Sequence, residues 1–151
     1  MKKLCILLIA GLIFGCSTDK ALSYEQQLAI DIAAIDKYLK DNNLVATTDP
    51  SGLRYTVTTQ GSGTHPTVAS TITVKYTGKL MTNGGIFDSS NSATFPLANL
   101  IKGWQIGFPL LGEGSEAILY VPSGLAYGGN TQPSIPANSN LIFNVKLLKV
   151  Q

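Results

Sequence analysis

Residues Ile72–Asp88 read ITVKYTGKLMTNGGIFD. Ile72, Val74 and Tyr76 alternate with Thr73, Lys75 and Thr77, the period of two expected of a strand with one buried face. Asn83-Gly84 tolerates the positive φ angles of a tight hairpin turn, and the chain returns through Ile86 and Phe87. This stretch is an antiparallel pair, and more strands flank it. Upstream, Leu53, Tyr55 and Val57 alternate with Arg54, Thr56 and Thr58, predicting a half-buried strand, followed by a loop over 60–66 marked by Gly61 and Gly63. Downstream, Glu116 to Val121 is apolar on both faces and reads as a central strand. Leu141, Phe143, Val145 and Leu147 line one face of a last strand, with Ile142 and Leu148 on the other. Between them, Lys102 to Phe108 predicts one short helix around Trp104, ended by Pro109 and Gly112. The sum is an α+β domain: an antiparallel sheet with a short helix covering one face. No internal repeat or low-complexity segment appears.

Ahead of this domain the period changes to 3.6. Ser23 opens a helix, and Gln26 three residues on completes a capping box. Leu28, Ile32, Ile35 and Leu39 recur at helical spacing. Glu25 and Asp31 sit early and Lys37 and Lys40 late, complementing the macrodipole, and Asn42-Asn43 is the stop. The apolar stripe could be a dimerisation arm, making a weak dimer, or a helix folded back on its own domain or acting as a spacer in a monomer. Its short length favours the second. The polar segment Ala46 to Gly52, with Pro50, marks the boundary.

The N-terminus reads as a targeting segment. Lys2 and Lys3 precede an apolar run from Leu4 to Phe14, which is too short for a span needing about 20 residues and suits a signal peptide. Ile13-Phe14-Gly15-Cys16 resembles a bacterial lipobox, implying that Cys16 is lipidated and begins the mature chain; the alternative is an ordinary signal peptide with an incidental cysteine. No Asp directly follows Cys16, so the inner-membrane retention signal of some lipoproteins is absent. The expected division is signal peptide 1–16, tether and helix 17–50, and sheet domain 51–151. The expected location is the bacterial envelope, lipid-anchored, at the outer membrane.

Composition narrows the chemistry. Of 151 residues, 44% are apolar and 13% charged, ordinary for a globular domain apart from the low charge. Removing Lys2 and Lys3 leaves 9 basic against 9 acidic residues, a balance that argues against nucleic acid and against a polybasic membrane patch. Acyl chains, not charge, would hold the chain at a bilayer. Cys5 leaves with the signal and Cys16 carries lipid, so the mature domain has no thiol. His65, the only histidine, lies beside Pro66 in a Gly-rich loop with no ligand partner. Gly112-Glu113-Gly114 and Gly128-Gly129 are turns rather than phosphate cradles, and Ser89-Ser90 lacks a base. Metal binding, proteolysis, phosphoryl transfer and redox chemistry are all disfavoured, and no cofactor is expected.

What remains is aromatic: Tyr76, Phe87, Phe95, Trp104, Tyr127 and Phe143, with Asp88 directly after Phe87. Any one of these alone would be core. As a group they include two tyrosines and the only tryptophan, which accept burial when their O–H and N–H find partners. Asp88 would be costly to bury without hydrogen bonds. Apolar walls with a few polar groups describe a small-ligand pocket.

VKYTGKL, GGIFDSS, LIKGWQIGF, VPSGLAYGG and SNLIFNVKLLKV, in this order between Leu53 and Val150, resemble the successive signatures of the FKBP-type peptidyl-prolyl cis-trans isomerases. The resemblance implies a five- to six-stranded twisted antiparallel sheet wrapped around one short helix, preceded here by the N-terminal helix. It also implies a proline pocket at Tyr76, Phe87, Asp88, Leu100, Ile101, Trp104, Tyr127, Ile135 and Phe143. Trp104 would be the floor under the pyrrolidine ring, and Tyr76, Phe87 and Phe143 the walls, with Phe95 nearby. The Tyr127 hydroxyl and the Ile101 main-chain N–H would bind substrate carbonyls. Asp88 would either hold Tyr76 or face the twisting imide. Asp88, Tyr127, Tyr76 and Phe87 would be the catalytic set. Proline-containing polypeptides would be partners, and rapamycin-like macrolides could enter the same pocket. Ser89 to Phe95, read as a loop, is shorter than in many members and lacks the basic residue that often pairs with the Asp; the loop 129–136 is also compact.

An X–Pro bond turns over in tens to hundreds of seconds because rotation breaks amide resonance, and speeding it requires no covalent step. The functions implied are an isomerase that assists the folding of exported proteins, a chaperone or scaffold that captures proline segments with little turnover, or a structural lipoprotein with a vestigial pocket.

Overall fold

The computed structural model describes residues 22–151. The signal run, the lipobox with Cys16 and nearly all of the tether lie outside the described residues. Helix α1 spans Tyr24–Asp41. Its N-terminus is fixed as the sequence predicts: the Gln26 N–H donates to Ser23 Oγ at 3.2 Å, and the Ser23 N–H donates to Gln26 Oε1 at 2.9 Å. Asn42 caps its end, and Asn43 takes a φ of 54°, a conformation that asparagine tolerates better than most residues.

Six strands follow: β1 Thr47–Thr48, β2 Arg54–Thr59, β3 Thr71–Leu80, β4 Ile86–Pro96, β5 Glu116–Val121 and β6 Leu141–Val150. They form one sheet in the order β1-β2-β5-β6-β3-β4, antiparallel at each pairing. Helix α2, Lys102–Gly107, continues into a 3₁₀ turn over Phe108–Leu110, so Pro109 tightens the last turn rather than stopping the helix. The FKBP-like architecture expected from the sequence is present.

Three expectations need correction. The segment Ser89–Phe95 is not a loop but most of β4, an edge strand whose Ser, Asn and Thr residues face solvent and hide the alternation. The boundary segment carries β1, too short to leave a periodic pattern. Arg54 is not on a solvent face: it is 8% exposed, and its Nε and Nη2 donate to Asp36 of α1 at 2.9 and 3.1 Å.

The two faces of the sheet explain its pattern. Leu119, Val121, Leu141, Phe143, Val145 and Leu147 point to the main core, with Trp104, Phe108 and Leu97 from the α2 side. Tyr120 and Ile142 point the other way and meet Ile35 and Leu39 of α1. That is why β5 and β6 are apolar on both faces. α1 therefore lies back against the sheet, and each of Ile35 and Leu39 contributes about 2 kcal/mol by burial.

Candidate active site

The site begins at an irregularity. Gly78 of β3 lies opposite Asp88 of β4 and Phe143 of β6, but Lys79 lies opposite Ile86, so Phe87 is an extra residue in β4. This bulge lets the Phe87 ring cross Gly78 and reach Phe143, with centroids 5.7 Å apart and planes at 86°. A side chain at 78 would prevent it, since a Cβ there would sit 2.6 Å from Phe87 Cζ and 2.9 Å from Phe143 Cε1. Gly78 thus belongs to the site. The sequence reading passed over it, although a lone glycine inside a strand pattern signals such an approach.

Trp104 of α2 joins the aromatic residues into one cluster. Tyr76 and Phe143 stand edge-on to its indole at 5.2 Å each, and Phe108 meets it at 4.9 Å. Such pairs contribute about 0.5–1.5 kcal/mol beyond their buried area. Phe95 of β4 backs Tyr76 at 6.4 Å. The indole is 4% exposed, and Tyr76 and Phe143, themselves 9% and 4% exposed, pack edge-on against it. Its Nε1–H has no acceptor among the described residues.

The open part of the site is a cleft of about 250 Å³ beside these rings, lined by Phe87, Asp88, Tyr127, Ile135 and the turn 132–134. A volume below the usual drug-sized pocket suits a ligand on the scale of one or two residues. A bridge between Gln132 and Ile135 closes that turn and holds Ile135 inward, 5% exposed. Leu100 and Ile101 enter α2 from a 3₁₀ turn at Leu97–Asn99, and both are half-buried. Gln105, also passed over by the sequence reading, positions this entry by donating to Ala98 O at 3.0 Å and Leu100 O at 2.7 Å. The Ile101 N–H donates to no acceptor among the described residues.

Asp88 decides the electrostatics. It accepts from the Tyr76 hydroxyl at 2.6 Å, a short bond of the charge-assisted kind. Burial, and then Asp88, push the Tyr76 hydroxyl up to about 12. Burial also raises Tyr127, with the negative charge of Asp88 adding to it. Both hydroxyls therefore stay protonated near neutrality, and Tyr127 O–H, which has no partner among the described residues, is a free donor at the cleft. No ion pair of the described residues lies at the site, so Asp88 is unopposed there. The structure thus brings Tyr76, Phe87, Asp88, Trp104, Phe143, Tyr127 and Ile135 together, with Leu100 and Ile101 at the start of the helix that carries Trp104.

Residues 62–148 match the model of the FKBP-type peptidyl-prolyl cis-trans isomerase family. The chain belongs to this family. An FKBP-type peptidyl-prolyl cis-trans isomerase FkpA of Aeromonas hydrophila is 45% identical over 105 residues, covering 67% of this chain and 39% of that protein. The outer membrane protein MIP of Legionella longbeachae is 38% identical over 107 residues, covering 68% of this chain and 46% of that one. The crystal structure of FkpA from Escherichia coli superposes with a TM-score of 0.73 at 34% identity, covering 84% of this chain and 62% of that one. The FKBP chain described here thus spans less than half the length of the two curated relatives.

Proposed function

We propose that this FKBP-family chain is a peptidyl-prolyl cis-trans isomerase acting on X–Pro bonds of exported polypeptides. The observation that carries the reading is the pair of unpartnered donors, Tyr127 O–H and Ile101 N–H, beside a cleft walled by Phe87 and Ile135. In this reading the prolyl ring enters the cleft against Phe87 and Ile135. Tyr127 and Ile101 take the flanking carbonyls, and Asp88 fixes Tyr76 while facing the imide. A desolvated site favours the twisted imide, whose charge separation is smaller than that of the planar amide. Raising a rate of roughly 0.01 per second to about 10 per second takes only ~4 kcal/mol, within reach of such a pocket.

A protease-coupled assay on an Ala-Leu-Pro-Phe peptide tests the reading. Tyr127→Phe should lower turnover about tenfold. It should leave the melting temperature unchanged, because the hydroxyl has no internal partner. A second reading, a capture module with little turnover, is favoured by the low exposure of Trp104, 4%. Binding of prolyl peptides without acceleration above background would select it.

We also infer the division into a signal peptide 1–16, a tether and helix 17–50 and an isomerase domain 51–151, with lipid on Cys16 and an outer-membrane location. The lipobox-like sequence and the name of the Legionella relative support this. Loss of radiolabelled palmitate incorporation in Cys16→Ala checks it. Rapamycin-like macrolides are inferred to enter the same cleft. Self-association through α1 would be weak, since its Ile35 and Leu39 face is occupied by the sheet.

A further inference from the structure

Asp31 lies in the middle of α1 and is 2% exposed. The sequence reading placed it as a complement to the helix dipole, but its carboxylate points into the protein. Oδ2 accepts from the Ser123 N–H at 2.9 Å and from the Ser123 hydroxyl at 2.6 Å. Oδ1 accepts from Gln27 Nε2 at 2.8 Å. Asn140 closes the group: its Oδ1 also accepts from the Ser123 N–H at 3.0 Å, and its Nδ2 donates to Asp31 O at 3.3 Å. All of these donors are neutral, and no cation pairs with Asp31 among the described residues. A buried carboxylate without a counter-charge is a costly way to attach a helix to a sheet, and an apolar contact would do that better. What the carboxylate adds is direction.

Ser123, the residue it holds, opens the turn that carries Tyr127. The Ser123 carbonyl accepts from the Ala126 N–H at 2.9 Å and the Gly128 N–H at 2.8 Å, so the residues on both sides of Tyr127 hang from this one anchor. α1 meets the same turn a second time at Gly124, where a Cβ would lie 2.7 Å from the Tyr24 ring. We propose that Asp31 is a positioning residue: through Ser123 it sets the place of the Tyr127 hydroxyl in the cleft, making α1 part of the working site. The idea rests on the reading above, in which Tyr127 touches substrate.

The test uses the full chain and three variants, Asp31→Asn, Ile35→Ala and Tyr127→Phe, assayed at a temperature where all are folded. Asp31→Asn keeps the shape but turns one acceptor into a donor. It should lower kcat about tenfold with KM changed less than about twofold. Ile35→Ala loosens the same helix–sheet interface without touching Ser123, and should lower the melting temperature while leaving kcat unchanged. In a Tyr127→Phe background Asp31→Asn should cost nothing further, because both act through one hydroxyl. Amide exchange at Ala126 and Gly128 should quicken in Asp31→Asn and not in Ile35→Ala. Should Asp31→Asn not fold, Ser123→Ala removes the 2.6 Å bond and should show the same split. If turnover falls equally in Asp31→Asn and Ile35→Ala, or if exchange at Ala126 and Gly128 is unaltered in Asp31→Asn, the positioning role is overturned. If Tyr127→Phe alone leaves turnover intact, the assignment of Tyr127 fails instead, and the exchange data still decide whether Asp31 anchors the turn.

Discussion

Replacing Gly78 with alanine offers a quantitative check on how the pocket wall is built. The new methyl would lie 2.6 and 2.7 Å from two carbons of the Phe87 ring and 2.9 Å from Phe143. Carbon atoms rest about 3.5–4.0 Å apart, so the Phe87 ring must retreat by about 1 Å. Overpacking of this size costs about 1–3 kcal/mol, set against about 0.5–1 kcal/mol regained because alanine suits a strand better than glycine. The expected outcome in urea unfolding is a net loss of about 1–2 kcal/mol with an unchanged m value. Because Phe87 lines the cleft, kcat/KM on a prolyl peptide should fall on the order of ten- to a hundredfold. In a Phe87→Ala background most of the collision is gone, and Gly78→Ala should then cost at least about 1 kcal/mol less than in the wild type. Additivity of the two substitutions within about 0.5 kcal/mol would show that the ring does not cross Gly78, and the account of the bulge would be wrong.

Four further outcomes are expected. The raised Tyr76 hydroxyl stays protonated in the fold while unfolded tyrosine ionises near 10, so its stabilisation is complete below pH 10 and lost as pH rises through about 12; urea midpoints should fall over that window, and less steeply in Tyr76→Phe. Asp36→Ala should cost about 1 kcal/mol, a modest figure because the carboxylate is half exposed although the Arg54 guanidinium is buried. Lys146→Ala, breaking an exposed pair with Glu116, should cost close to nothing by the same measurement. A prolyl peptide or a rapamycin-like macrolide should shift the emission of Trp104, the only tryptophan, since Phe143 packs both on its indole and on Phe87 of the cleft wall; a flat titration alongside measurable turnover would place the ligand elsewhere.

Where residues follow one local rule, the fold was legible. The capping box at Ser23 and Gln26, the alternation in β3 and the two apolar faces of β5 and β6 each follow from burial or hydrogen bonding within a few positions. β4 escaped because an edge strand rich in Ser, Asn and Thr resembles a loop until its partner is known. Arg54 and Asp31 escaped for a related reason. A charged residue is read as solvent-facing unless its partner is seen, and Asp36 and Ser123 lie 18 and 92 residues away. For the site, no spacing rule brings Tyr76, Trp104 and Phe143 onto one cluster; the family resemblance did that. It could not show how deeply the indole is buried, because side-chain cover depends on packing rather than on motif.

The strand order has an effect on how the molecule comes into being. β6 is the wedge between β5 and β3, so without residues 141–150 the sheet is two unconnected fragments, one holding β1, β2 and β5 and the other holding β3 and β4. β6 also brings Phe143. Until those ten residues are in place, the two halves of the sheet are not joined and Phe143 is missing from the aromatic cluster. Closure of the sheet therefore waits on one strand, with the facing edges of β5 and β3 left bare until β6 is inserted between them.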